Sequence, residues 1–386
     1  MSASAGLTVA VVGLGFGEDF LPIYLSHPDV ASVVVAEPDD ERRARVGDRY
    51  GIERRYASLE QLLEADDVDA VHLATPVAFH ARQSLAVLAS GRHCACAVPM
   101  ATTLEDLQAV VDAQQRSGKN YMMMETSVYG REYLTVRDLY RAGRLGNLTF
   151  YRGFHIQNLD GFPSYWLGYP PMLYLTHALS PVLALLGTEV AAVTCRGSGQ
   201  LTPERRGDYD NKFPVEVGLF ELRGTDIIAE VTVSCFQLAR SYIEGFSIYG
   251  DAMSIEWPEL EGGPLRGFEL LSVVERPEGH GGASSIHRLG RESTVPASGH
   301  ADLLPHEIGR FVKDTEWELP GVGPVKVVAH HGGSHAHLVH EFVSSIVEER
   351  PPAIDVNVAA RWTVPGIVAH ESATEGGAKK SVGVFA

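Results

Sequence analysis

The sequence predicts two domains of different texture: an α/β domain on a parallel sheet, then an α+β domain on a large, open antiparallel sheet. Three observations carry this reading. The chain has 386 residues, more than a single hydrophobic core usually spans. Up to about residue 127, short β-rich runs alternate with helical patterns. Beyond it, strand-like runs follow one another across short turns such as Arg223-Gly224-Thr225, the mark of antiparallel pairing.

In the first domain (1–127) the β-rich runs are 7–12, 32–36, 69–74, 93–97 and 120–124. Helical patterns at 39–50, 58–65, 79–90 and 103–118 separate them. The runs are continuously apolar, as strands covered on both faces must be. Thr103, with Glu105 and Asp106 behind it, signals a helix start. The second domain (128–386) opens on a helix at 133–142. Strands follow at 147–155, 190–196, 214–223, 226–235, 241–249, 253–257 and 267–274, interrupted by one helix near 172–186. Residues 275–304, rich in Gly, Ser, Pro and His and without periodicity, predict a long loop. Helices return at 305–313, 335–348 and 356–374, the last expected to pack back on the first domain. An open sheet of this size needs covering, which predicts a homodimer or homotetramer through the second domain.

A formal net charge of -17 repels phosphate backbones and argues against a nucleic-acid partner. No apolar run is long enough to span a bilayer, so no membrane partner is expected. The apolar stretch Leu7–Phe16 follows no basic segment and is broken by glycines. It reads as a first strand rather than a leader, and a cytoplasmic location is expected. Cys94, Cys96, Cys195 and Cys235 are too few and scattered for a disulfide framework. Cys94 and Cys96 read as small residues of a buried strand, not a metal pair.

Gly13-Leu-Gly15-Phe-Gly17 lies between the first strand and a helix. The first glycine of such a turn allows the tight bend, and the second lets backbone approach a pyrophosphate on the helix N-terminus. This is a Rossmann dinucleotide site, and Gly13, Gly15, Phe16 and Gly17 are its cofactor-facing residues. Glu37 closes the second strand, placed for a ribose 2′-hydroxyl and repelling a 2′-phosphate. The expected cofactor is therefore NAD. One departure stands out: the third glycine of the full fingerprint falls on Glu18, with Gly17 one place early. Looser packing or a different helix start is expected there.

From Asp69 onward the order "VDAVHLATPVAFHARQSLAVLASGRHCACAVPMATTLEDL" resembles the Gfo/Idh/MocA (glucose–fructose oxidoreductase / inositol dehydrogenase) family. The segments "GGSHAHLVHEFVSSI" and "GIVAHESATEGG" resemble its closing segments. The resemblance implies an NAD-dependent enzyme acting on a small-molecule sugar or glycoside. It places Thr75, Pro76, His80, Ala97, Val98 and Glu125 beside the cofactor. The family's Glu-Lys-Pro reads Ala97-Val98-Pro99 here, so the usual lysine is a valine that cannot carry a proton. The family's Asp four residues before its histidine is Leu173, while the histidine is kept as His177. "MLYLTHALSPV", "MMMETSVYGRE" and the Val-Pro pair are closest to the NAD-dependent glycosidases of glycoside hydrolase family 109.

That resemblance implies net hydrolysis with recycled NAD: oxidation at C3 of the sugar, elimination across C1–C2, hydration, and return of the hydride. No classical pair of carboxylates is needed. Protein side chains must supply proton transfer and positioning. His177 is the expected base, because imidazole titrates near neutrality. Tyr174, three residues earlier, is the expected polariser of the C3 oxygen, and Tyr129 is a second phenol. The alternative reading is a plain sugar dehydrogenase, and a third is a non-catalytic NAD-binding protein. The aromatic, Gly/Pro-broken stretch 154–171 offers His155, Asp160, Tyr165 and Trp166 as sugar contacts. His330 and His331 are expected near the substrate opening. His337 and Glu341 have helical metal-ligand spacing, but no second cluster in sequence completes a site, so no metal is expected.

Overall fold

The computed structural model describes residues 6–384 apart from 66, 258–259, 261 and 274–287. The chain divides into two compact units. One is Met1–Arg131 with Gly299–Ile367 and Gly383–Ala386; the other is Glu132–Ser298 with Val368–Val382.

The first unit holds β1 (Leu7–Val12), β2 (Val30–Ala36), β3 (Arg55–Tyr56), β4 (Ala70–Leu73), β5 (His93–Cys96) and β6 (Tyr121–Met123). They form one parallel sheet in the order β3-β2-β1-β4-β5-β6. Strand order reverses between β1 and β4, and ligands of such sheets bind outside the strand C-termini at that point. The connecting helices are α1 (Leu21–Ser26), α2 (Asp40–Tyr50), α3 (Leu59–Ala65), α4 (His80–Ala89) and α5 (Leu104–Ser117). Their ends are set locally. Asp39 caps α2 by accepting from the Arg42 amide at 2.8 Å, and Thr103 caps α5 by accepting from the Asp106 amide at 3.1 Å. Gly51 and Gly118 close these helices in the left-handed region.

The glycine turn differs from the expectation in an informative way. A 3-10 turn, Gly17–Phe20, precedes α1, so the helix does start differently. Packing is nevertheless close. A Cβ on Gly17 would lie 2.8 Å from Val11 Cγ1 and 3.2 Å from Ala74 Cβ, so Gly17 serves as the third glycine one place early. Glu18, at the expected glycine position, turns outward and pairs with Arg45 and Arg49 on α2.

The second unit contains α6 (Arg131–Arg141, which starts at the boundary) and α7 (Thr176–Leu186). Its strands are β7 (Leu148–Gln157), β8 (Val190–Ser198), β9 (Val215–Leu222), β10 (Ile228–Ser234), β11 (Tyr242–Gly250), β12 (Met253–Glu256), β13 (Leu265–Val273) and β14 (Arg288–Val295). The expected large sheet is present, with one parallel pair, β7 with β10, among antiparallel neighbours. Strand β14 corrects the expected loop at 275–304; residues 274–287 of that stretch lie outside the described ones. The β14 residues RLGRESTV are mostly polar, which suits an edge strand with one neighbour, β13.

Chain beyond residue 299 was expected in the second domain, but 299–367 is part of the first unit. There, α8 (His306–Gly309) and a 3-10 turn stand for the expected helix 305–313. An unforeseen hairpin, β15 (Thr315–Leu319) with β16 (Gly323–Val327), follows. Helix α9 (His330–Val347) has non-helical residues at His331, Gly332 and Gly333, so its regular part starts at Ser334, close to the expected start. Its apolar face packs on α1 and on the turn Thr126–Val128, which draws it to the first unit. Helix α10 (Val356–Thr374) crosses the unit boundary, and β17 (Lys380–Ser381) pairs with β8. The full second sheet runs β14-β13-β12-β11-β7-β10-β9-β8-β17. Among the described residues no helix is long and apolar enough to cross a membrane. The four cysteines are free and buried, Cys94 and Cys96 within β5.

Gly13 has φ +87°, and a Cβ there would sit 2.7 Å from the Ala74 carbonyl oxygen. Gly13→Ala should therefore lose about 1–3 kcal/mol of folding stability in urea titrations. Gly15→Ala, where a methyl meets only Arg42 at 4.0 Å, should be close to neutral. Equal losses in the two variants would contradict the close approach at Gly13.

Candidate functional site

Two groups of side chains matter, one in each unit. In the first, the glycine turn is braced by Glu37. Its Oε2 accepts from the Leu14 amide at 2.7 Å and its Oε1 from the Asp39 amide at 3.1 Å. Arg42 Nη1 stands 3.5 Å from Oε1, and Glu37 is buried. The carboxylate thus ties the end of β2 to the turn after β1. Phe16 packs edge-on against Phe20, and His335 stacks on Phe20 with ring centroids 4.2 Å apart. His331 approaches Phe16 at 6.1 Å, and His330 Nε2 lies 4.0 Å from Asp19. Both histidines therefore sit by the glycine turn.

The turns after β4, β5 and β6 carry the other expected cofactor residues. Thr75 donates its hydroxyl to Gln83 and precedes Pro76. Ala97 and the buried Val98 follow β5. Glu125 is fully buried after β6, and its Oε1 accepts from the Ser127 amide at 2.9 Å. Tyr129 stacks on His337 at 6.3 Å. His337 donates to the Gly299 carbonyl at 2.8 Å, while Glu341 binds Arg350 and the Ala353 amide. This histidine and carboxylate therefore have separate structural partners.

His80 is buried beneath these turns. Its Nδ1 lies 2.8 Å from the Pro99 carbonyl and its Nε2 2.8 Å from the Thr75 carbonyl. A neutral imidazole donates through one nitrogen only; two carbonyl acceptors call for the imidazolium. Burial opposes that charge, but adjacent Cys96 and the two carbonyls together raise its pKa to about 9. His80 thus clamps the β4 and β5 turns together from behind.

In the second unit the register of the sheet builds the site. Glu244 on β11 is directly opposite His155 on β7, so the two side chains share a face. Tyr242, Phe246 and Ile248 alternate with it on that face, opposite Gln157, Gly153 and Tyr151. Helix α7 lies against β7, β10 and β11. Gly153 is what permits this: a Cβ there would fall 1.9 Å from the Ala178 carbonyl oxygen. The Tyr151 hydroxyl donates to the same carbonyl at 2.7 Å. The helix is thereby seated low, and His177 comes down on the cluster. His155 Nδ1 and His177 Nδ1 each lie 3.7 Å from Glu244 Oε2. All three residues are buried. Burial holds the His155 pKa below its ordinary value.

Aromatic rings wall this cluster. Tyr174 packs edge-on to both His155 and His177 at 5.0 Å, and Tyr242 edge-on to His155 at 5.5 Å. Trp166 meets Tyr174 at 5.9 Å, with the half-exposed Tyr165 beyond it at 5.6 Å. Asp160 is elsewhere engaged, in a two-point pair with Arg205 that lowers its pKa. Leu173 is buried in the turn before Tyr174. That turn is fixed by Glu216, whose carboxylate accepts from the Met172 amide at 2.8 Å and pairs with His370 at 2.7 Å. Sequence reasoning missed Glu244 and Glu216. Each carried a signal: an acid on the otherwise apolar face of an alternating strand, YIEGFSI and VEVGLFEL.

Residues 7–125 match the model of the oxidoreductase family with an NAD-binding Rossmann fold, Gfo/Idh/MocA. Residues 7–125 thus form an NAD-binding Rossmann domain that matches this family, and the reversing parallel sheet and the cramped Gly13 turn fit that cofactor. Over 137 residues it is 38% identical to a glycosyl hydrolase family 109 protein of Shewanella baltica and 35% identical to an alpha-N-acetylgalactosaminidase of Shewanella oneidensis. Each alignment covers 32% of this chain and 30% of the relative. Among solved structures, a levoglucosan dehydrogenase with NADH and levoglucosan superposes at TM-score 0.75 and 20% identity, over 98% of this chain and 99% of that one. An Agrobacterium radiobacter oxidoreductase with NAD+, L-tartaric acid and magnesium gives 0.71 and 18%, over 97% and 98%. These two share the fold.

The His80 clamp sets a pH dependence. Its folded pKa of about 9 exceeds the ordinary 6.5, so its stabilisation is complete below pH 6.5 and is lost as pH rises through about 9. The melting temperature of the protein should fall over that window, and His80→Asn, which cannot hold a titrating proton, should start lower and lack this phase. An identical pH profile in the variant would show that His80 is not the titrating clamp.

Proposed function

We propose that this chain acts on a glycoside by NAD-dependent oxidation at C3, with net hydrolysis as the outcome. The observation that carries the reading is the buried cluster of His177 with Tyr174, His155 and Glu244 in a sequence that has a valine at the position of the family's lysine. The matched segment of the family 109 relatives supports it. When bound, NAD would supply a reversible acceptor for the sugar's hydride. Gly13, Gly15, Phe16 and Gly17 would approach its pyrophosphate, and Glu37 its ribose. Thr75, Pro76, Ala97, Val98 and Glu125 lie on the turns at the same strand ends.

The chain's own task is proton transfer and positioning. Val98 offers no proton, so acid–base work at the sugar depends on His177, with the Tyr174 phenol beside it. Trp166 extends the aromatic wall from Tyr174, and such faces suit the apolar side of a sugar ring. The dehydrogenases among the structural neighbours support a second reading, net oxidation with release of NADH. A panel of aryl glycosides, assayed with and without added NAD⁺, separates the two. Cleavage without accumulating NADH is expected, and His177→Ala should lower turnover by ~10²-fold or more. NADH building up in step with product would establish the dehydrogenase, and near-native turnover in the variant would reassign the proton transfer.

A further inference from the structure

The geometry points to a divalent transition-metal site formed by His155, His177 and Glu244. This rests on the proposed function above and changes the part of His177 within it, from a free base to a ligand of an ion that acidifies the sugar hydroxyl. His155 Nε2 lies 3.3 Å from Gln157 Oε1, and the tautomer that donates to this oxygen is the one that suits a metal at Nδ1. The Nδ1 of His155 then presents a lone pair, and what it faces is Glu244 Oε2 at 3.7 Å. That nitrogen is buried and has no hydrogen-bond partner. Two lone-pair atoms facing each other away from water repel unless a cation lies between them. His177 Nδ1 faces the same oxygen at the same 3.7 Å.

The dimensions suit an ion. One ligand atom from each residue lies within 4.8 Å of the others. Zinc bonds of about 2.0–2.1 Å place tetrahedral ligands roughly 3.3–3.4 Å apart, so the two 3.7 Å nitrogen–oxygen distances need contract by only a few tenths of an ångström, and the two imidazole nitrogens, within 4.8 Å, by a side-chain rotation. Two imidazoles and one carboxylate are a borderline-soft set, matching zinc, manganese or iron rather than magnesium or calcium. Three protein ligands leave a coordination position open, as catalytic metal sites do. A sugar hydroxyl bound there has its acidity raised, as a metal-bound water does. The three ligands come from β7, α7 and β11, which is why sequence spacing did not place a metal here.

The test uses the full chain. Metal content is measured on protein purified without a chelator, then zinc or manganese is titrated calorimetrically into chelator-stripped protein. One ion per chain is expected, with Glu244→Gln and His155→Ala weakening its affinity by about 100-fold or more. A single cooperative thermal transition and an unchanged near-ultraviolet circular dichroism spectrum of both metal-free variants verify that they fold. A cobalt(II) form should show visible absorption of a low-coordinate nitrogen–oxygen site, absent in Glu244→Gln. No saturable binding, or binding unaltered by Glu244→Gln because the ion sits in the histidines of 330–340, would overturn the site. The two readings fail separately. A metal-loaded protein that cleaves no glycoside removes the hydrolase reading and leaves this site standing. Cleavage undiminished after chelation removes this site and leaves the hydrolase reading.

Discussion

A buried carboxylate facing two imidazoles is the constraint around which the second unit is arranged. A charge taken out of water costs several kcal/mol unless close partners offset it. Glu244 meets the two imidazoles, and with them a place for the proposed cation that would offset its charge, because the β7–β11 register sets it opposite His155 and α7 sits low enough for His177 to reach the same oxygen. Each condition is traceable to a residue. Gly153 removes the side chain that would hold α7 off the sheet, and Tyr151 bonds the helix at Ala178. Glu216 repeats the device one strand group away, fixing the turn that delivers Tyr174.

The first unit solves a different problem, that of bringing backbone close to a cofactor. Gly13 bends where a side chain would strike Ala74, Gly17 lets the following turn lie on Val11, and Glu37 locks the turn to the end of β2. His80 then joins the turns after β4 and β5 through two carbonyls. Glu37, His80 and Glu125 on this side hold backbone groups, and Val98 adds no polar group. The division of labour we propose follows: one unit positions the cofactor, and the other carries the titratable chemistry.

Much of this was legible in the sequence because it is local. The glycine turn, the caps at Asp39 and Thr103, the parallel strands and most of the second sheet follow from neighbours within a few residues. So do the positions of His177 and Tyr174, which share one short segment. The rest depends on distant pairings. Strand β14 hid behind an edge composition, β15 and β16 form an isolated hairpin, and residues 299–367 join the first unit through the face of α9. The same holds for Glu244, whose significance appears only when β11 is laid beside β7. His155 was named as a sugar contact from its loop-like surroundings; the register instead buries it next to a carboxylate.

The central claim is that the sugar passes through a C3 ketone and loses its C2 proton before the C1 bond breaks. The measurement that bears on it most directly is isotope exchange. A glycoside carrying deuterium at C2 is cleaved in ordinary water, and the product is examined by mass spectrometry and NMR. The account predicts loss of that deuterium to solvent, with deuterium placed at C3 retained in the product. A hydrolysed product that keeps its C2 deuterium in full would contradict the account.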